Sequence, residues 1–147
     1  MKKNPYMTDE EWRWFQLSIA AKELSKQSVA ELEKQHQKEP GNLDIIVQLF
    51  SYYRVREKDK FIHKDAEKHL FDLTSWLIKN KPELDGWAAQ ELLHNSYHYS
   101  ARNFGRLRTA WLETVESHPT NANVINRCLR EKEISRSIIA DAPKLSA

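Results

Sequence analysis

Three breaks around proline residues, alike in their surroundings, constrain the fold of this chain more than any other feature of its sequence. Side by side they read LEKQHQKEPGNLDIIVQLF, TSWLIKNKPELDGWAAQELL and AWLETVESHPTNANVINRCL. In each, apolar and then charged residues lead to a proline, which a polar capping residue and a new apolar helix follow. The prolines Pro40, Pro82 and Pro119 stand 42 and 37 residues apart. Such a period predicts repeated helical units that stack on one another.

The composition favours helices over strands. The chain has 147 residues, of which 40% are hydrophobic and 30% charged, with three glycines and five prolines. So few turn-forming residues cannot supply the junctions of a many-stranded sheet, but they suffice for a few helix junctions. The length suits one domain with a sizeable core. We therefore predict a single all-α domain over residues 1–147.

Capping patterns predict where the helices begin. Thr8 and Glu11 have the spacing of a capping box, in which each side chain satisfies a free amide at the helix start. The same spacing recurs at Ser28 and Glu31. Residues 8–26 are expected to form an N-terminal capping helix. Further helices are expected to begin at Asn42, Asp85, Asn103 and Asn121.

The paired helices with a closing proline resemble the tetratricopeptide pattern, whose unit is a helical hairpin of about 34 residues. Trp87, Tyr97, Trp111 and Pro119 lie near the aromatic and proline positions of that family. The runs WLIKNKPE and WLETVESHPTNANV are also similar to bacterial tetratricopeptide-like proteins of uncharacterised function. The units of this chain are longer than the family consensus.

This resemblance implies a right-handed stack of antiparallel helical hairpins, about seven to eight helices in all. The repeat units would span residues 28–82, 83–119 and 120–143. Such a stack leaves a concave surface, which would bind a protein or peptide partner through tyrosine rings and arginine groups that pair with carboxylates. The residues expected at this surface are Tyr53, Arg56, His94, Tyr97, His98 and Arg102.

A metal site is the first alternative. Glu91, His94 and His98 are spaced by three and four residues and would share one face of a helix. Histidines four residues apart can chelate zinc, and a Glu-x-x-His unit occurs in helical di-iron bundles. A closed site needs further ligands, and His63 and His69 lie on another segment. We therefore expect no bound metal and no cofactor.

Nucleic-acid binding is the second alternative, because two clusters of basic residues lie near tyrosines. Glu57 and Asp59 interleave with the first cluster, and the formal net charge of the chain is only +2. A near balance of charge provides no global field to attract nucleic acid. We therefore expect no nucleic-acid partner. The clusters are Arg54, Arg56, Lys58 and Lys60, and then Arg102, Arg106 and Arg108.

No catalytic motif is recognisable in the sequence. A nucleophile elbow, a Walker loop and a Rossmann glycine pattern are all missing, and three glycines could hardly build one. The single cysteine, Cys128, is expected to be an ordinary apolar helix residue. The N-terminal lysines precede no apolar run, and no stretch approaches the roughly 20 apolar residues of a membrane span. We predict a cytoplasmic binding protein rather than an enzyme.

Overall fold

The computed structural model describes residues 1–57, 65–93 and 100–129, and every regular element in these ranges is a helix. The predicted all-α class is therefore confirmed, and seven helices fall within the described residues. They are α1 (Asp9–Ala21), α2 (Lys26–Lys38), α3 (Leu43–Arg56), α4 (Ala66–Asn80), α5 (Gly86–Leu93), α6 (Ala101–Ser117) and α7 (122–129). None of these helices is long and apolar enough to cross a membrane.

Four helices begin directly after the residue expected to cap them, namely α1 after Thr8, α3 after Asn42, α5 after Asp85 and α7 after Asn121. The Thr8 hydroxyl accepts the Glu11 N–H at 3.1 Å, and the Glu11 carboxylate accepts the Thr8 N–H at 2.8 Å, which completes the capping box of α1. Asn42 caps α3, since its side-chain oxygen accepts the Asp44 N–H at 3.1 Å. Hydrogen bonds between neighbouring residues are enough to fix the starts of α1 and α3.

Two other helices are capped by a residue three positions before the predicted cap. Ser25 rather than Ser28 caps α2, and its hydroxyl accepts the Ser28 N–H at 3.1 Å. Ser100 rather than Asn103 caps α6 and accepts the Asn103 N–H at 3.4 Å. Each residue expected to be the cap is therefore the third residue of its helix and contributes its backbone amide instead. Helix α1 likewise ends at Ala21, before the predicted limit of residue 26.

The three prolines lie between helices. Pro40 separates α2 from α3, Pro82 separates α4 from α5, and Pro119 separates α6 from α7. The prolines therefore divide α1 to α6 into three consecutive pairs. The segment 28–82 contains most of α2 together with all of α3 and α4, whereas 83–119 contains α5 and α6.

The core lies between α3 and the helices around it. Helix α3 packs against α1, α2 and α4, while α4 also packs against α5 and α6. Trp14 and Trp111 are buried, and Trp76 and Trp87 pack half-buried against the same cluster. Cys128 is buried on α7, as expected of an apolar helix residue. Helix α1 also reaches α5, and this contact shapes the candidate site.

Candidate binding groove

A groove with a volume of about 430 Å³ lies between α1, α3 and α5. Each helix contributes residues from one face, because the lining positions are three or four residues apart. This spacing means that the groove runs along three helix surfaces rather than into a loop. Its lining consists of Phe15, Ser18, Ile19 and Lys22 on α1, Ser51, Arg54 and Val55 on α3, and Trp87 and Glu91 on α5.

The start of α5 is held against α1 by Glu11. Its Oε1 atom accepts the Trp87 N–H at 3.0 Å, while Oε2 accepts the Thr8 N–H at 2.8 Å. One carboxylate therefore satisfies amides at the starts of two helices. These hydrogen bonds, with that of Thr8 first, lower the pKa of Glu11 below its ordinary value.

Gly86 allows this close approach. Its φ is +62°, in the left-handed region that side chains with a Cβ atom rarely adopt. A Cβ atom on this residue would stand 2.0 Å from Oε1 of Glu11. The glycine is therefore needed both for its backbone conformation and for the space that the carboxylate occupies.

One wall of the groove is aromatic and apolar. The rings of Phe15 and Trp87 meet edge to face, with centroids 6.2 Å apart and an interplanar angle of 89°. Ile19 and Val55, which also line the groove, are 37% and 46% exposed although both are large apolar residues. Contiguous apolar surface of this kind, next to polar groups, is typical of a binding site.

The charged part of the groove consists of Lys22, Arg54 and Glu91. Arg54 and Glu91 form an ion pair that joins α3 to α5, with each side chain more than a third exposed. Lys22 makes no ion pair with any described residue. Arg54 is therefore already paired within the groove, whereas the ammonium group of Lys22 could pair with a carboxylate of a ligand.

Of the six residues predicted for the binding surface, the three that the structure describes, Tyr53, Arg56 and Arg102, do not come together. Tyr53 lies on another face of α3, where its hydroxyl donates to Glu33 of α2. Arg56 places its guanidinium 3.6 Å from the centroid of the Tyr52 ring. It also donates to the Lys22 carbonyl at 3.2 Å, so it joins α3 to the end of α1.

Arg102 is exposed on α6, away from the three helices that line the groove. His94, Tyr97 and His98, the other residues predicted for the surface, lie outside the described residues. No described contact joins any two of Tyr53, Arg56 and Arg102.

Sequence reasoning missed the apolar residues of the groove. Ile19 and Val55 lie beside the buried stripes of their helices rather than on them, and that offset was the signal available. Trp87 was related to an aromatic position of the tetratricopeptide pattern, and it is half-buried with part of its surface in the groove. Glu91 was considered only as a metal ligand, yet it pairs with Arg54.

The described residues contain no group of three or more His, Cys, Asp or Glu side chains placed to hold a metal ion. The metal hypothesis therefore depends on His94 and His98, outside those residues. Three of the five arginines of the nucleic-acid hypothesis make internal contacts. Besides Arg54 and Arg56, Arg106 places its guanidinium 4.3 Å from the centroid of the Phe71 ring.

Comparison with known proteins supplies no relationship for this chain. No protein-family model matches it, and no curated protein or solved structure matches it closely enough to support one. The chemistry of the groove is therefore the basis for proposing a function.

Proposed function

We propose that the chain binds a peptide segment of a partner protein in the groove between α1, α3 and α5, without catalysing a reaction. The observation that carries this proposal is the exposure of Ile19 and Val55 beside the Phe15–Trp87 pair. Exposing such side chains to water is unfavourable, and a ligand that covers them gains free energy in proportion to the apolar area buried.

The position of the groove supports the tetratricopeptide-like arrangement that we propose for the fold. The helices that line it, α1, α3 and α5, are the first members of the three pairs that the prolines delimit. In helical-repeat stacks the first helices line the concave binding surface. The stacked hairpins would then be α1–α2, α3–α4 and α5–α6, of which only α5–α6 coincides with a predicted unit, that of residues 83–119. Among the described residues, only α3 and α4 pack extensively within their pair.

The size of the groove sets the size of the ligand. Its volume of about 430 Å³ lies in the usual range for small-molecule and side-chain pockets. It would therefore receive a few side chains of an extended peptide rather than a whole helix. The chemistry favours an apolar residue against Phe15 and Val55, with an acidic residue close by that pairs with Lys22.

Selection from a random-peptide display library, followed by calorimetry with synthetic peptides, tests this function. We expect the selected peptides to combine apolar and acidic residues. Val55→Glu should abolish their binding while leaving the helical signal and melting temperature almost unchanged, because Val55 is 46% exposed. Leu129→Glu is the matched control, since Leu129 is 51% exposed and lies outside the groove. Equal binding by both variants would exclude the groove as the site.

The metal hypothesis for Glu91, His94 and His98 makes a different prediction. Elemental analysis of the purified protein would then find a stoichiometric metal, and His94→Ala would release it. A metal ion at this carboxylate would have to compete with Arg54, which pairs with Glu91 at a partly exposed position.

A further inference from the structure

A second cavity, with a volume of about 390 Å³, opens on another side of α3, between α2, α3 and α4. Tyr53 lies here rather than in the groove. The cavity differs from the groove because two carboxylates and two histidines line it, and no lysine or arginine does. The residues that matter for its chemistry are Glu33, His36, Tyr53, His69, Asp72 and Trp76.

Glu33 is the central acceptor of this cavity. The Tyr53 hydroxyl donates to its Oε1 atom, and the His69 Nδ1 atom lies 3.6 Å from the same oxygen. The imidazole of His69 stacks on the Tyr53 ring, with centroids 4.1 Å apart and an interplanar angle of 2°. Among the described residues, no group donates to Oε2 of Glu33. One oxygen is therefore occupied and the other is available to a ligand.

The protonation states of Tyr53 and His36 leave the negative charge of Glu33 in place. Burial, followed by the hydrogen bond to Glu33, raises the pKa of Tyr53, so the phenol remains a donor and the carboxylate remains the acceptor. Burial lowers the pKa of His36, and its Nδ1 atom is buried with no partner among the described residues. His36 is therefore neutral at pH 8 and does not offset the charge of Glu33.

The remaining carboxylate of the cavity is already engaged. Asp72 accepts a hydrogen bond from Lys68 at 2.6 Å, one turn earlier on α4. Glu33, in contrast, has no lysine or arginine partner among the described residues. The cavity thus contains a carboxylate without a permanent counter-ion, beside the half-buried ring of Trp76.

We propose that this cavity binds the primary ammonium group of an organic amine, with Glu33 as its counter-ion. An ammonium group donates charge-assisted hydrogen bonds to a carboxylate, and the face of an aromatic ring attracts it and its methylene chain. A chelated metal ion fits less well, because the described residues place no three ligating groups together. The site does not depend on the peptide groove, which lies on another side of α3 and shares no lining residue with the cavity.

Titration with n-butylamine at pH 8, followed by amide chemical shifts in NMR spectra, tests the proposal. n-Butanol is the neutral control of similar shape. We expect saturable shifts with butylamine, confined to residues around the cavity, and none with butanol. Equal responses to the two compounds would show that the cavity recognises only the alkyl chain, and the proposal would be wrong.

Two variants separate the role of Glu33 from general effects of charge. Glu33→Gln retains an acceptor for Tyr53 and should weaken butylamine binding by about tenfold or more. Glu31→Gln makes the same change at an exposed position of α2 outside the cavity and should bind like the wild type. Tyr53→Phe removes the competing donor and should bind at least as tightly as the wild type. If Glu33→Gln and Glu31→Gln bind equally well, the assignment of Glu33 is overturned.

The ammonium group could belong to a free amine or to a lysine side chain of another protein. Titration with Nα-acetyl-lysine N-methylamide distinguishes these sources. Binding of butylamine alone identifies a small free amine, and binding of both compounds identifies a site that also admits lysine side chains. Binding of neither compound contradicts the proposal.

Discussion

Gly86 lies so close to Glu11 that a Cβ atom on the glycine would stand 2.0 Å from the carboxylate oxygen Oε1. The same oxygen accepts the Trp87 N–H at 3.0 Å. Because Gly86 also has a φ of +62°, neither its backbone nor its surroundings suit any other residue. This contact holds α5 against α1 and thereby sets the width of the groove.

Gly86→Ala should destabilise the protein by about 1–3 kcal/mol, since it forces a side chain into a left-handed conformation and against Glu11. Urea denaturation measures the loss. Gly105→Ala is the matched control, because a Cβ atom there meets nothing within 4 Å. In the interior of α6 that change should stabilise by about 0.5–1 kcal/mol. Destabilisation by both variants to the same extent would contradict the role of Gly86.

The lowered pKa of Glu11 predicts a pH dependence of stability. The contribution of this carboxylate is fully present above pH 4.5, its ordinary pKa, and is lost as pH falls through the lower pKa of the folded state. Glu11→Gln should therefore lose less stability than the wild type between pH 5 and pH 3. Denaturation curves at several pH values provide the comparison. Parallel profiles for the two proteins would mean that Glu11 is not ionised in these hydrogen bonds.

Thr114 joins α6 to α4 through a buried hydroxyl. Its Oγ1 atom lies 2.8 Å from the Ala110 carbonyl and 3.3 Å from the Ile78 carbonyl. Thr114→Val should cost about 1 kcal/mol, because a buried hydrogen bond is lost without a change in shape. Ser117→Ala removes a similar hydroxyl bond, to Glu113 at 3.0 Å, at an exposed position and should be almost neutral. If the two variants have equal free energies of unfolding, burial of the Thr114 hydroxyl does not increase its contribution to stability.

Lys22 should contribute to the affinity for acidic peptides. Lys22→Gln is expected to weaken their binding by about two- to fivefold and to reduce its dependence on salt, as for an exposed ion pair. Lys34→Gln provides a control, because Lys34 is exposed on α2 and outside the groove. Calorimetry at two salt concentrations measures both effects. Unchanged affinity and salt dependence in Lys22→Gln would remove Lys22 from the proposed site.

Local patterns predicted the helices well but placed the binding residues poorly. Thr8 and Asn42 cap helices because their hydrogen bonds involve only neighbouring residues. Ser25 and Ser28 both suit a cap, and the sequence pattern did not distinguish the true one. Arg56 shows the larger difficulty. A charged residue near a tyrosine resembles a binding group, yet the Tyr52 ring and the Lys22 carbonyl engage it within the fold.

The groove itself could not be predicted, because it depends on residues that are distant in sequence. Phe15 and Trp87 are far apart in the sequence, and they meet because α1 contacts α5 in the folded chain. No period or cap in the sequence specifies which face of α1 meets which face of α5. Packing between residues distant in sequence decides which helix faces meet. Its sign in the sequence is only indirect, such as an apolar residue beside a buried stripe.

The hydrogen bond from Trp87 to Glu11 spans 76 positions of the chain and bypasses the intervening pair of helices. A linear array of repeats has contacts only between neighbours, so it can melt or be shortened from one end, one unit at a time. Here α1 also contacts α5, so the contacts are not confined to helices that are neighbours in the sequence. Loss of α1 would therefore weaken the packing of both α3 and α5, and the helices should unfold in a single cooperative transition rather than one after another.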